Sequence, residues 1–182
     1  MAGRDLTTAP RPVVVLVGPP GSGKSTVGAA LAAALDVEFR DTDADIEAAT
    51  GRQIADIFIE SGEASFRDLE GPAVRSALGE HTGVLALGGG AVMNPDTRAL
   101  LGNHLVVYLD VGLASAMARL EMNRSRPLLL GNVRAKWQQL ADQRRPMYEE
   151  VADTTILTDG LSVDDIVAGI VEQLPLTSRK TP

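Results

Sequence analysis

The chain has 182 residues, of which 45% are hydrophobic and 23% charged, and it carries a net charge of −7. Its length and composition are those of one globular domain with a sizeable core, and its acidic balance argues against a nucleic-acid partner. The lack of cysteine excludes disulfides, thiolate metal sites and thiol catalysis. Its apolar runs are too short to span a bilayer, and the N-terminal "MAGRDLTTAPRP" does not have the pattern of a secretory signal, so we predict no membrane partner and a cytoplasmic location.

Short apolar runs alternate with amphipathic stretches along the chain. The apolar runs predict strands at 12–17, 37–39, 83–87, 104–110 and 152–159, and the stretches between them predict helices at 24–35, 43–50, 54–60 and 65–78 and helices beginning near 95, 113 and 162. Because buried strands separated by helices are typical of parallel sheets covered on both faces, we expect an α/β fold. Ligands of such sheets bind beyond the carboxyl ends of the strands, where residues 18–26, 41–45 and 88–90 should meet.

The segment "GPPGSGKST", residues 18–26, follows the first strand and opens the first helix. It fits the phosphate-loop pattern G-x-x-x-x-G-K-[ST], in which backbone N–H groups and the helix N-terminus cradle phosphate oxygens. Lys24 is expected to reach the β- and γ-phosphates, and the Ser25 hydroxyl to ligate Mg²⁺. Since no guanine-specifying segment is found, we predict ATP as the nucleotide, held by Gly21, Ser22, Gly23, Lys24, Ser25 and Thr26.

The segment "RDTDADIE" places acidic residues where the second strand gives way to a helix. In an extended segment Asp41 and Asp43 would point to the same side, with Asp41 placed to hold Mg²⁺ and Asp43 to orient an attacking hydroxyl or accept its proton. Acidic residues also occur at helix starts for the sake of the helix dipole, and the pattern alone supports both interpretations equally. Asp45 is assigned to the dipole role.

Glycines and arginines supply the remaining candidates. Gly88, Gly89 and Gly90 directly follow the third strand and favour a close approach of ligand or backbone. Arg67 is placed either for an intrahelical ion pair with Glu63 and Glu70 or, held by Glu70, for a forked contact to a substrate carboxylate. The basic segment "NRSRPLLLGN" is expected to form an inter-helix loop, which either stays solvated or closes over the nucleotide.

The motifs GxxGxGKS, D-T-D, G-E-x-x-F-R, L-G-G-G-A-V, R-P-L-L and R-x-P-M-Y occur in this order. This ordered set closely resembles the shikimate kinase family, and the resemblance covers about residues 13–174. It implies an α/β fold like that of the P-loop nucleoside monophosphate kinases, with a five-stranded parallel sheet flanked by helices and a mobile lid. It also implies ATP- and Mg²⁺-dependent phosphorylation of the 3-hydroxyl of shikimate, in the route to chorismate and the aromatic amino acids.

The same resemblance implies a role for each matching residue. Asp43 would bind the acceptor hydroxyls and act as base, and Asp41 would support Mg²⁺ together with Ser25. The resemblance also implies that Arg67 and Arg144 grip the shikimate carboxylate, Gly88–Gly90 line its pocket, Arg126 acts on the γ-phosphate and Arg119 stacks near adenine. Of the adjacent Arg144 and Arg145, the spacing to Pro146 favours Arg144.

The expected organisation is a single kinase domain at 12–176 between flexible tails at 1–11 and 177–182. Its substrate-binding helices are expected at about 43–79 and its lid at about 123–132, and the chain is expected to be a monomer. The alternatives are a related kinase for gluconate or a nucleoside monophosphate and, from another class, a nucleotide-binding regulator without an acceptor.

Overall fold

The computed structural model describes residues 10–121 and 132–175 of the chain. The strands are β1 Val14–Val17, β2 Phe39–Asp41, β3 Val84–Ala86, β4 Val106–Asp110 and β5 Thr154–Leu157. The helices are α1 Lys24–Leu35, α2 Thr42–Thr50, α3 Ile54–Glu80, α4 Pro95–Leu101, α5 Leu113–Glu121, α6 Val133–Val151 and α7 Val163–Gln173, with a 3₁₀ turn at Ala91–Met93. Most of the predicted lid, with Arg126, most of the predicted N-terminal tail and all of the predicted C-terminal tail lie outside the described residues.

The five strands form one sheet in the order β2-β3-β1-β4-β5, and every pair is parallel. The expected α/β architecture is therefore confirmed. Successive residues of a strand point to opposite faces, and β1 shows this directly. Val15 and Val17 pack into a core with residues of α3, α4 and α6, while Val14 and Leu16 pack into a second core with residues of α1 and α7.

The second strand begins two residues later than the sequence predicted. Asp36 adopts the left-handed conformation that ends α1, and the Val37 amide still donates to a carbonyl of that helix. Val37 therefore belongs to the helix cap, and pairing with β3 starts at Phe39. The expected extended Asp41–Asp43 segment is also wrong, because Asp41 is the N-cap of α2 and Asp43 lies in its first turn.

The long helix α3 contains a break at Gly62, whose φ of 82° and ψ of 170° are not helical. The two helices predicted at 54–60 and 65–78 thus correspond to the two arms of α3. Both predicted helix starts are confirmed, since Asn94 caps α4 and Ser162 forms a capping box with Asp165 at the start of α7. Among the described residues, no helix has both the length and the apolar character needed to cross a membrane.

Candidate active site

The three segments predicted to meet do so at the carboxyl edge of the sheet. The loop after β1, the start of α2 after β2 and the glycines after β3 are neighbours because these strands are adjacent and parallel. A Cβ atom on Gly89 would lie 3.3 Å from Cδ of Pro20 and 3.4 Å from the Gly18 carbonyl oxygen. The glycine triplet and the phosphate loop are therefore in direct contact.

The phosphate loop wraps around the ammonium group of Lys24. Nζ of Lys24 donates to the carbonyl oxygens of Gly18, at 2.7 Å, and Pro19, at 3.1 Å, and the side chain is buried. Gly21 and Gly23 have φ values of 82° and 91°, in the left-handed region that glycine adopts without strain. A Cβ atom on Gly21 would lie 2.9 Å from the Ala116 carbonyl oxygen, so α5 also requires glycine there.

Ser25 and Asp41 form a direct contact at the mouth of the loop. Oγ of Ser25 donates to Oδ2 of Asp41 at 2.7 Å, while Oδ1 of Asp41 accepts from the Asp43 amide at 2.9 Å. A hydroxyl beside a carboxylate supplies the oxygen ligands that Mg²⁺ prefers, and Mg²⁺ commonly takes only one or two protein ligands beside phosphates and water. The described residues contain no cluster of three or more His, Cys, Asp or Glu residues suited to a metal.

The glycine triplet lets three ionic side chains approach the backbone. A Cβ atom on Gly88 would lie 2.6 Å from Oδ1 of Asp43 and 2.8 Å from Oε1 of Glu70. The guanidinium of Arg67 lies so close to Gly90 that a Cβ atom there would overlap it. The absence of side chains at Gly88 and Gly90 therefore makes room for Asp43, Glu70 and Arg67.

Arg67 forms the predicted intrahelical ion pairs with Glu63 and Glu70. Its Nη1 donates to Oε2 of Glu70 at 2.6 Å and its Nη2 to Oε1 of Glu63 at 3.0 Å. Glu70 is buried, with 3% of its surface exposed, and burial raises its pKa while the Arg67 guanidinium opposes that shift. Glu70 therefore anchors the guanidinium of Arg67 beside Gly90, as the sequence suggested.

The structure separates the two adjacent arginines of α6. Arg144 is 1% exposed and lies near Glu70 and Tyr148, on which its charge acts. Arg145 turns to another side and its Nη1 donates to Oδ2 of Asp110, at the end of β4, at 2.9 Å. Arg144 is thus the arginine of the Asp43–Glu70 cluster, as its spacing to Pro146 indicated.

Arg119 lies across the phosphate loop. Its Nη1 donates to the carbonyl oxygens of Gly21, at 3.1 Å, and Ser22, at 3.3 Å, and to Oγ1 of Thr158 at 3.0 Å. The side chain therefore links α5, the loop after β5 and the phosphate loop. Thr26, on the first turn of α1, is exposed.

Two aromatic residues contact the site although their sequence context indicates only packing. Tyr148 is buried and stacks on Tyr108, yet its hydroxyl donates to the Gly89 carbonyl oxygen. Burial raises the pKa of Tyr148 to about 12, so the hydroxyl stays protonated and remains a donor. Trp137 is also buried, and its Nε1 donates to the Pro20 carbonyl oxygen at 2.8 Å. These bonds join residues 59 and 117 positions apart, which no local pattern reveals.

Comparisons with known proteins identify the family of the chain. The model of the family described as shikimate kinase matches residues 20–175. A shikimate kinase of Salinispora arenicola is 55% identical over 90% of this chain and 98% of its own, and one of Streptomyces coelicolor is 50% identical over 91% and 96%. The solved shikimate kinase of Acinetobacter baumannii, in complex with shikimate, superposes with a TM-score of 0.85 at 37% identity and covers 90% of this chain and 92% of its own. The chain therefore belongs to the shikimate kinase family.

Proposed function

We propose that the protein transfers the γ-phosphoryl group of ATP to a hydroxyl of shikimate with the residues assembled at the carboxyl edge of its sheet. The observation that supports this most is the contact at Gly89, which joins the phosphate loop to the Asp43–Arg67–Arg144 cluster. Phosphoryl transfer requires the attacking and leaving oxygens to be aligned in line through the phosphorus and the charge on the phosphate oxygens to be neutralised. The phosphate loop and this cluster provide adjacent places for the two substrates.

The nucleotide side is assigned to the phosphate loop. The backbone from Gly21 to Thr26 holds the phosphates, and Lys24 exchanges the carbonyls of Gly18 and Pro19 for the transferring phosphate. Ser25 and Asp41 hold Mg²⁺, which when bound neutralises charge on the phosphate oxygens. Arg119 lies on the adenine side, and Arg126, outside the described residues, is assigned to the γ-phosphate.

The acceptor side is assigned to the cluster around the glycine triplet. Arg67 and Arg144 hold the carboxylate of shikimate, because a guanidinium forks onto a carboxylate with two hydrogen bonds. Nε of Arg144 and Oε1 of Glu70 are buried without hydrogen-bond partners among the described residues, so both are suited to a polar ligand. Asp43 orients the reacting hydroxyl and accepts its proton as the phosphoryl group arrives.

The remaining assignments concern the whole chain. We propose one kinase domain at 12–176 that works as a monomer in the cytoplasm, with an acceptor side built from residues 43–79 and a lid at 123–132. Its acidic charge fits small-molecule substrates rather than a nucleic acid.

The first test is ADP release from Mg-ATP with and without shikimate, with gluconate and AMP as parallel acceptors. Of the three acceptors, we expect only shikimate to increase ADP release. Arg126→Ala should lower kcat and leave KM nearly unchanged, because the contact of Arg126 forms chiefly in the transition state. Turnover with gluconate or AMP but not shikimate would overturn the acceptor assignment and leave the nucleotide side intact. ADP release that no acceptor increases would favour a nucleotide-binding regulator.

A further inference from the structure

Side chains of α5 and α6 hold the outer carbonyls of the phosphate loop. Nε1 of Trp137 donates to the Pro20 carbonyl oxygen at 2.8 Å, and Nη1 of Arg119 donates to the carbonyl oxygens of Gly21 and Ser22. The Trp137 bond is buried, whereas those of Arg119 are partly exposed. Trp137 therefore makes the better shielded of these contacts.

The indole ring of Trp137 is fixed by its surroundings. The ring is 2% exposed and belongs to a packed cluster formed with Val111, Ala116, Met117 and Ala141. A side chain held in this way cannot follow the Pro20 carbonyl if the loop moves, so its N–H acts as a fixed point. The Pro20 carbonyl must lie at hydrogen-bond distance from the indole N–H, since leaving either buried group unpaired is costly.

The position of the Pro20 carbonyl decides where the next amide points. In a planar trans peptide the C=O of one residue and the N–H of the next point in opposite directions. A Pro20 carbonyl held toward α6 therefore turns the Gly21 N–H away from α6. Pro19 and Pro20 have no N–H, so the Gly21 amide is the first donor in the loop after that of Gly18.

We propose that Trp137 is a positioning residue for the nucleotide phosphates, which sets the direction of the Gly21 amide through the Pro20 carbonyl. This inference rests on the proposed function, because it assumes that the loop binds nucleotide phosphates. An anion bound to the Gly21 N–H polarises the Pro20–Gly21 peptide and makes its carbonyl a better acceptor for the indole, since linked hydrogen bonds strengthen each other. Trp137 should thus favour the phosphate-bound loop without touching any substrate.

The test compares ADP binding by the full-length wild type and Trp137→Phe. Phenylalanine keeps an aromatic ring in the cluster and removes the donor. We expect the dissociation constant for MgADP, measured by calorimetry, to rise about three- to tenfold, as for the loss of one hydrogen bond, and the KM for shikimate to stay within about twofold. Met117→Ala is the matched control, because it opens a cavity in the same cluster and leaves the hydrogen bond in place.

Each outcome separates this inference from the function on which it rests. A wild type that fails to bind MgADP would contradict the proposed function itself. If the wild type and Trp137→Phe bind MgADP with equal affinity, only the role of Trp137 would be overturned. The same holds if Met117→Ala loses as much MgADP affinity as Trp137→Phe does.

A spectroscopic measurement needs no variant, because Trp137 is the only tryptophan of the chain. We expect pyrophosphate to change the tryptophan emission of the wild type and adenosine to leave it unchanged, since only pyrophosphate contacts the loop amides. If Trp137→Phe does not fold, emission that stays constant on saturation with pyrophosphate would overturn the proposal.

Discussion

Arg67 donates to two carboxylates, and its guanidinium lies against Gly90. Arg67→Ala should raise the KM for shikimate by about 10- to 100-fold, as expected when charged hydrogen bonds to a ligand are lost. Steady-state kinetics with each substrate varied in turn should leave the KM for ATP within about twofold. Arg52→Ala is the control, since Arg52 pairs with Glu60 at the surface. Equal increases in both KM values would contradict a carboxylate-binding role.

The Tyr148 hydroxyl gives the glycine triplet a fixed point in the core. Tyr148→Phe should keep the ring stacked on Tyr108, remove the hydrogen bond to Gly89, and lower stability by about 1 kcal/mol. Because Gly89 contacts the phosphate loop and, in the proposed function, lies between the two substrates, kcat should fall as well. Denaturant unfolding and kinetics measure the two effects, and Tyr108→Phe, whose hydroxyl contacts Asp110 instead, is the comparison. A loss of stability with full kcat would assign Tyr148 to the core alone.

At the scale of one element, α3 offers two glycines with opposite expectations. Gly62 has φ 82° and ψ 170°, a region that other residues adopt only at a cost of about 1–3 kcal/mol. Gly79 is an exposed glycine in the same helix, with open space around it. Gly62→Ala should therefore destabilise the protein by about 1–3 kcal/mol, and Gly79→Ala should stabilise it by about 0.5–1 kcal/mol. Urea unfolding measures both, and a stabilising Gly62→Ala would mean that α3 is straight in solution.

Asp159 ties the loop after β5 to the start of α5. The Ser115 hydroxyl and the Gly112 amide donate to this carboxylate and lower its pKa. A carboxylate with a pKa below its unfolded value stabilises the fold above that value, and the stabilisation disappears as the pH falls through the folded pKa. Asp159→Asn should thus be less stable than the wild type at pH 7, with a difference that shrinks below about pH 4.

Urea unfolding across this pH range tests the role of Asp159. Asp68→Asn, at an exposed position on α3, is the control for the change in net charge. A stability difference for Asp159→Asn that persists unchanged at low pH would show that charge is not the cause.

For the whole molecule, nucleotide binding should raise stability by mass action. MgADP at 100 times its dissociation constant should stabilise the wild type by about 2.7 kcal/mol, and EDTA should reduce the gain if Ser25 and Asp41 hold Mg²⁺. Asp41→Asn should abolish the difference between MgADP and ADP with EDTA, because asparagine retains the helix cap and loses the charge. Thermal unfolding measures the stabilisation by MgADP and by ADP with EDTA. Asp45→Asn is the control, since it removes the same charge from a carboxylate that pairs with Arg40. A full magnesium effect in Asp41→Asn would exclude Asp41 as a ligand.

The sequence predicts the parts of the site that depend on short motifs and on the parallel direction of the strands. Ser25 and Asp41 meet at the carboxyl edge of the sheet, where α1 and α2 begin after β1 and β2, the strands on either side of β3. The alternation of apolar runs already indicates a parallel sheet, whose carboxyl ends share one edge. The start of β2 was missed because a left-handed Asp36 extends the cap of α1, and sequence pattern does not fix such a conformation. The bonds of Tyr148 and Trp137 were missed because they depend on how α6 packs against distant loops.

The separation of Arg144 and Arg145 couples position 145 to position 110, where Asp110 accepts the hydrogen bond from Arg145. Successive helix residues lie about 100° apart around the axis, so only one of the pair can enter the cluster of Asp43 and Glu70. Asp110 holds the other, and so favours the rotation of α6 that places Arg144 beside Glu70. Loss of Asp110 would let the two arginines compete for one place, and its effect on acceptor affinity should depend on whether Arg145 is present. Substitutions at positions 110 and 145 are therefore expected to be epistatic: the effect of replacing Asp110 should depend on which residue stands at position 145.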